Sequence, residues 1–342
     1  MPLSLPEIQR PDRAIVPLLQ KHLDNLTKPP DSLGRLEELA RSFGLMRGST
    51  DLILQKRAIF TFAADHGVSR AGVSAYPREV TAQMVFNFVR GGAAINVLCR
   101  HYGIQNLVVD AGVDYDFPEI AGLVSRKVGR GTENFLERPA MTVEQAMQSV
   151  EAGMNLGQGY DLLGTGDMGI GNTTSSAAIC ALFTGLPVEE VVGRGTGVDD
   201  DRLRHKTNVI RDALARHKPD ASNPLDVLAK VGGFEIGAIA GLILGAASRR
   251  IPIVVDGFIS GAGAMVAARW EPACRDYLFF SHVSRERGHR RMLEFFDAHP
   301  ILDLDMCLGE GTGAAIAMDV ITAAVRVYNE MATFDSASVS RA

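Results

Sequence analysis

Hydrophobic positions fall into short apolar runs, each ending in a cluster of Gly, Asp, Glu, Ser or His and followed by a stretch of helical character. The runs are AIFTFAADHGV (58–68), NLVVDAGVD (106–114), YDLLGTGDMGIGN (160–172), IPIVVDGFISGAG (251–263) and YLFFSHVS (277–284). A sixth, LDLDMCLGEGTG (302–313), alternates Leu302, Leu304, Met306 and Leu308 before breaking at Gly309, and the alternation reads as a short strand. Strands separated by helices require crossover connections. The pattern therefore predicts an α/β fold in three layers, with a six-stranded, mostly parallel sheet covered by helices on both faces. The polar clusters then lie at the same ends of their strands and converge on one edge, where open α/β sheets bind ligands.

The two ends of the chain read differently. Residues 1–30 are punctuated by proline, and Ser32 is placed to cap a helix over SLGRLEELARSFGLM, with Leu33, Leu36, Leu39 and Phe43 on one face. The Ala-rich run from 313 to about 333 is expected to leave the sheet and pack on these helices. The predicted division is a small helical domain from residues 1–56 and 326–342, and a large α/β domain over 57–325.

Composition narrows the function classes. Hydrophobic residues make up 46% of the 342 and charged residues 22%, the profile of a soluble globular protein. A net charge of −5 gives no general attraction to nucleic acid. The longest apolar run, IGAIAGLILGAA (236–247), is about half the ~20 residues a bilayer span needs, so it reads as a core helix and no membrane association is expected. MPLSLPEIQRPDR lacks the pattern of a secretion signal. Cys99, Cys180, Cys274 and Cys307 show no paired spacing, which argues against a zinc site or disulfides and points to a reducing cytoplasm.

Five clusters carry candidate chemistry. Glu310 stands between Gly309 and Gly311; it is either a solvated turn residue or a carboxylate that a ligand approaches closely. GTGDMGIGNTTSS (164–176) offers glycine amides and the Asn172, Thr173, Thr174 and Ser175 side chains at a helix start, a phosphate cradle or a capped helix. It matches neither a Walker loop nor a dinucleotide fingerprint. In GRGTGVDDDRLRHK (193–206), Asp199 reads as a helix cap rather than a metal ligand and Lys206 as a surface lysine. Asp65 and His66 can serve acid–base or metal chemistry, but no partner histidine lies at ligand spacing. Ser74, Tyr76 and Gln83 are suited to orienting a flat heterocycle, and the arginines of SHVSRERGHRRM (281–292) read as an exposed face.

In order along the chain, KPPDSLGRLEELA, ADHGVSRAGVSAYPREVTAQM, GGAAINVL, GTENFLERPAMT, GDMGIGNTT, GRGTGVDD, VDGFISGAGA, SHVSRERGH and LGEGTGAA resemble the nicotinate-nucleotide–dimethylbenzimidazole phosphoribosyltransferase family, from about residue 28 to 325. The resemblance implies a homodimer with a Rossmann-like large domain and a small helical domain from both termini. It implies transfer of the phosphoribosyl group of nicotinate mononucleotide to 5,6-dimethylbenzimidazole, with no metal or organic cofactor. It makes Glu310 the general base and Ser74, Tyr76 and Gln83 the base pocket. The nucleotide phosphate would be held by Gly169, Ile170, Gly171, Asn172, Thr173 and Thr174 with Lys206, Gly257 and Ser284, and Asp167 would contact substrate. The chain departs from the family pattern at three places: Ala64 and Asp31 stand where glycine is common, and Asp167 where glutamate is common. Other readings are a related transferase using a phenol, adenine or another benzimidazole, a non-catalytic nucleotide-binding regulator, and a metal-dependent hydrolase built on Asp65, His66 and Asp199 to Asp201.

Overall fold

A computed structural model describes residues 5–195 and 197–340. Residues 1–4, 341 and 342 of the expected helical domain, and Thr196 of the GRGTGVDD loop, lie outside the described residues. Helices α1 (Val16–Asn25) and α2 (Arg35–Arg47) precede strand β1 (Arg57–Ala64). Helices α3 (Val80–Val89) and α4 (Ala94–Tyr102) lead to β2 (Gln105–Gly112), and β3 (Leu123–Ser125) with α5 (Val143–Met154) leads to β4 (Leu162–Met168). Five helices follow: α6 (Asn172–Thr184), α7 (Val188–Val191), α8 (Asp200–His217), α9 (Pro224–Val231) and α10 (Phe234–Ser248). The chain closes with β5 (Ile253–Val255), α11 (Phe258–Trp270), β6 (Leu278–Phe280), α12 (Arg287–Phe296), α13 (Thr312–Glu330) and α14 (Phe334–Ala337).

The six strands form one sheet in the order β3-β2-β1-β4-β5-β6, and every pair is parallel. Consecutive side chains of a strand point to opposite faces. In β4 the Leu163 side chain shares the surroundings of Gly157 with Leu242 of α10, whereas Gly164 faces Ala314 and Met318 of α13. Helices thus cover both faces, and the central strands are apolar on both sides for that reason. Helix α10 carries the IGAIAGLILGAA run and is buried along nearly its whole length. No described helix is long and apolar enough to cross a membrane.

Strand order reverses between β1 and β4, because the chain adds β2 and β3 on one side of β1 before returning to the other. The crevice at the carboxyl ends of these two strands is the switch point where such sheets bind ligands.

Two local expectations are corrected. The alternating segment 302–308 is not a strand of the sheet: Leu302 makes one isolated bridge to His282, and Leu304 and Leu308 are 55% and 58% exposed. Leu304 and Leu308 face the solvent, while Leu302 packs against the core from outside the sheet. The sixth strand is β3, three residues at the sheet edge, too short and too exposed to carry a period-two signal. Ser32 does not cap α2. Its N–H closes a turn onto the Pro29 carbonyl, and Gly34 precedes the helix. Asp31, standing where the family commonly has glycine, has φ +56°, a conformation glycine adopts without strain.

The chain ends meet on α13. His22 donates from Nε2 to the Tyr328 carbonyl at 2.7 Å, Leu26 bridges to Thr333, and Asn329 donates to the Leu52 carbonyl. Nearby, Lys28 and Glu37 form a buried ion pair at 2.7 Å.

Candidate active site

Glu310 lies across the switch point. Its main-chain carbonyl accepts the Thr61 hydroxyl of β1 at 3.0 Å, and its N–H donates to the Asp167 carbonyl of β4 at 3.3 Å. The approach to β4 requires glycine there: a Cβ on Gly166 would lie 2.3 Å from the Glu310 carbonyl oxygen. Glu310 itself has φ +63°, between Gly309 at +85° and Gly311 at +97°. A side chain in this region is strained, and such strain persists only where surrounding contacts hold it. The carboxylate is 6% exposed. Its Oε2 accepts the Ile95 N–H at 3.2 Å, in the first turn of α4, while Oε1 has no protein partner among the described residues. Burial pushes this carboxyl up from its ordinary range, and the Ile95 N–H opposes the shift.

Two further acids adjoin it. Asp256, at the end of β5, accepts N–H groups from Ala314 at 2.9 Å and Gly311 at 3.2 Å, so it closes the start of α13 directly after Glu310. Burial pushes Asp256 up to about 7 against those hydrogen bonds. Asp167 is held well above the usual carboxylate range by burial, then by the charges of Asp256 and Glu235. Its Oδ2 accepts from Asn172 at 3.1 Å, so the shorter aspartate still reaches a partner on the next helix. Its Oδ1 is buried without a hydrogen bond.

Glu310, Asp167 and Asn172 border one cavity of about 320 Å³. It brings together nine of the expected site residues: Tyr76, Asp167, Gly169, Ile170, Asn172, Thr173, Gly257, Ser284 and Glu310. The amino-terminal ends of α6 and α11 reach it, at Asn172 and Thr173 and at Phe258 and Ile259, beside the Gly309–Glu310 turn that precedes α13. Helix amino termini present unpaired N–H groups and positive dipole ends, which suit an anion. Lys206 stands behind the wall, 1% exposed, with its Nζ on the Thr173 hydroxyl at 2.8 Å and the Gly193 carbonyl at 3.3 Å. It is therefore no surface lysine, and burial pushes its pKa down to about 8.

The other expected residues lie off the cavity lining. Gly171 forms the left-handed turn before α6, with φ +100°. Thr174, three residues further along, is fully buried. Ser74 accepts the Tyr76 N–H at 3.3 Å and so shapes the approach of Tyr76. Gln83 is exposed on α3, where Val80 and Met84, one turn apart, take the lining positions. The apolar wall of Val80, Met84, Met168, Phe258 and Leu308 was not singled out from the sequence, since such residues at helix starts look like core. Glu286 was also missed, although it lies in the SHVSRERGH motif; the arginines around it, Arg285, Arg287 and Arg290, are exposed as expected.

The Asp65–His66 pair belongs to the scaffold. His66 is fully buried, with Nδ1 on the Ser175 hydroxyl at 3.0 Å and Nε2 on Glu235 at 2.6 Å. Asp65 accepts the Asp114 N–H at 2.8 Å. Asp199 caps α8, accepting the Arg202 N–H at 2.8 Å. Among the described residues no group of three histidine, cysteine or acidic side chains is placed to hold a metal ion.

With a Rossmann strand order, two helix amino termini at the cavity and a buried carboxylate at the switch point, the chain belongs to the phosphoribosyltransferase family, whose model matches residues 8–339. Its relatives narrow this class. It is 56% identical over 342 residues to the nicotinate-nucleotide–dimethylbenzimidazole phosphoribosyltransferase of Geobacter sulfurreducens, covering 98% of this chain and 97% of the relative. It is 54% identical to the protein of the same name in Pelodictyon phaeoclathratiforme, covering 99% and 97%. Among solved structures it matches the CobT protein of Thermus thermophilus with a TM-score of 0.92 at 47% identity, over 96% of this chain and 100% of that one.

Proposed function

We propose that this protein transfers the phosphoribosyl group of nicotinate mononucleotide to 5,6-dimethylbenzimidazole, releasing nicotinate and forming α-ribazole 5′-phosphate for the lower ligand of cobalamin. The names of relatives at 54–56% identity over nearly the full length support the substrates. The observation that carries the mechanism is the buried Glu310 carboxylate, fixed at the switch point with one oxygen left for a ligand.

Nicotinate leaves from a pyridinium, so its departure neutralises charge and needs little acid help. The ring carbon gains oxocarbenium character, as in glycoside cleavage. One benzimidazole nitrogen attacks from the opposite face, inverting β to α. The other nitrogen becomes acidic as the bond forms, and Glu310 takes its proton as general base. A carboxyl raised by burial is better matched to that task at neutral pH than a free one. The negative charge of Glu310 also offsets the positive charge that builds on the base. Tyr76, Val80, Met84 and Leu308 supply an apolar wall for a flat ring, with Met84 as an adaptable packing partner. Lys206 and the loop from Gly169 to Thr174, with Gly257 and Ser284, would hold the phosphate, supplying orientation.

The proposal includes a homodimer in the cytoplasm. Tyr76, 52% exposed, and Leu308 leave apolar surface at the cavity mouth that a second copy would cover. The test is incubation with nicotinate mononucleotide and a panel of bases, identifying products by mass and anomeric configuration. The α-nucleotide of dimethylbenzimidazole as main product supports the reading. A preferred phenol or adenine product replaces it with the related transferase.

A further inference from the structure

We propose that Glu286 is a further substrate-binding residue, which takes a proton from solvent when the nucleotide enters and donates it to the phosphate as an O–H···O hydrogen bond. The inference rests on the phosphate site proposed above. Glu286 is 7% exposed and lines the cavity beside Thr173, Gly195, Gly257 and Ser284. Its N–H donates to the Ser284 hydroxyl at 3.2 Å, which fixes it to a residue expected to contact phosphate. Its Oε2 is buried with no hydrogen-bond partner. The same oxygen presses on Gly193, where a Cβ would lie 2.0 Å from it.

The charges acting on Glu286 are Lys206 from α8 and the exposed Arg285 beside it, and the Gly195 N–H points at its carboxylate. Lys206 spends its hydrogen bonds on Thr173 and Gly193, and makes no direct ion pair with Glu286 among the described residues. His289, one turn further on, accepts the Ser284 N–H, and burial pushes its pKa down to about 3, so it adds no charge. Burial already pushes Glu286 above the ordinary carboxylate range, with Lys206 opposing the shift.

A phosphate dianion arriving at Lys206 takes over the cation that balances Glu286. Two like charges at one partly desolvated site cannot both stay ionised without cost, and a proton bridging the carboxylate and a phosphate oxygen relieves it. A neutral carboxylic acid held in an apolar site then serves as a donor. The proton comes from solvent onto the carboxylate and returns when the phosphate leaves; no bond to phosphorus changes.

Binding of nicotinate mononucleotide, and separately of inorganic phosphate, is measured by calorimetry near pH 7 in two buffers of different ionisation enthalpy. Wild type and Glu286→Gln are compared. Near this pH the phosphate, with a second pKa of about 6, is already mostly dianionic. The expected result is an uptake larger by roughly one proton per site in wild type than in the variant, with affinity falling up to about tenfold more per pH unit in wild type. Glutamine keeps an N–H donor, so the variant should still bind and melt near the wild-type temperature. Equal proton counts in the two proteins overturn this inference alone. So does loss of nucleotide binding in the variant with inorganic phosphate binding intact, which makes Glu286 an acceptor for a ribose hydroxyl. Wild type that binds neither ligand overturns the phosphate site and this inference together.

Discussion

The Oε2 of Glu310 accepts the N–H of Ile95 at 3.2 Å, across 215 residues of sequence. The contact gives the GGAAINVL segment a task that its composition does not announce: the first turn of α4 orients the carboxylate on which the proposed chemistry depends. Because that carboxyl is raised mainly by burial, and a base acts only when ionised, kcat/KM should rise with pH through a pKa above 4.5, the ordinary glutamate value. A pH–rate profile with no acid limb above that value speaks against Glu310 as the base.

Gly166→Ala should move Glu310 without altering any polar group. The added carbon would meet the Glu310 carbonyl at 2.3 Å and the Gly311 nitrogen at 2.8 Å, both backbone atoms. Displacement of a catalytic group by about 1 Å can cost on the order of 10²-fold in rate. Steady-state kinetics should show that loss in kcat, with a smaller change in the KM for nucleotide. A wild-type kcat shows that the loop does not need this close approach.

Asp256→Asn should loosen the start of α13 and remove a pH dependence. The folded pKa of about 7 lies above the ordinary 3.8, so the folded state holds a proton the unfolded chain has released. That stabilisation is fully present below about pH 4 and is lost as pH rises through about 7. Chemical denaturation of wild type across this window should show the decline, and the variant should show a smaller one. Identical slopes in the two proteins contradict the assignment.

Lys206→Met should raise the KM for nicotinate mononucleotide by about 10–100-fold, the scale of one lost charged hydrogen bond. In wild type the cation is lost as pH rises through about 8, so nucleotide affinity should weaken above that pH. Fold stability should move the other way between about 8 and 10.5, because the unfolded chain keeps the proton that the buried amine gives up. Binding measured by fluorescence or calorimetry, beside denaturant melts over the same range, checks both directions.

Five strands were legible because each is largely buried on both faces, and an apolar run closed by a short polar cluster is what such a strand must look like. The reading failed at 302–308 because period-two alternation also describes an extended segment at a cavity mouth: Leu308 is exposed and lines the site. Glu310 was legible as a lone acid between glycines. Lys206 was not legible as a buried group, since the burial comes from α6 and the loop at 193–195, far away in sequence. Val80, Met84 and Phe258 carry no signal distinct from core packing, and Asp256 shows its role only through hydrogen bonds to a helix more than fifty residues on.

The most direct measurement is single-turnover kinetics of Glu310→Gln with nicotinate mononucleotide and dimethylbenzimidazole, alongside its nucleotide affinity. Loss of a positioned base should slow ribosyl transfer by about 10²–10⁴-fold while nucleotide affinity stays near that of wild type. Transfer at the wild-type rate in this variant would show that the carboxylate at the switch point does not take the proton.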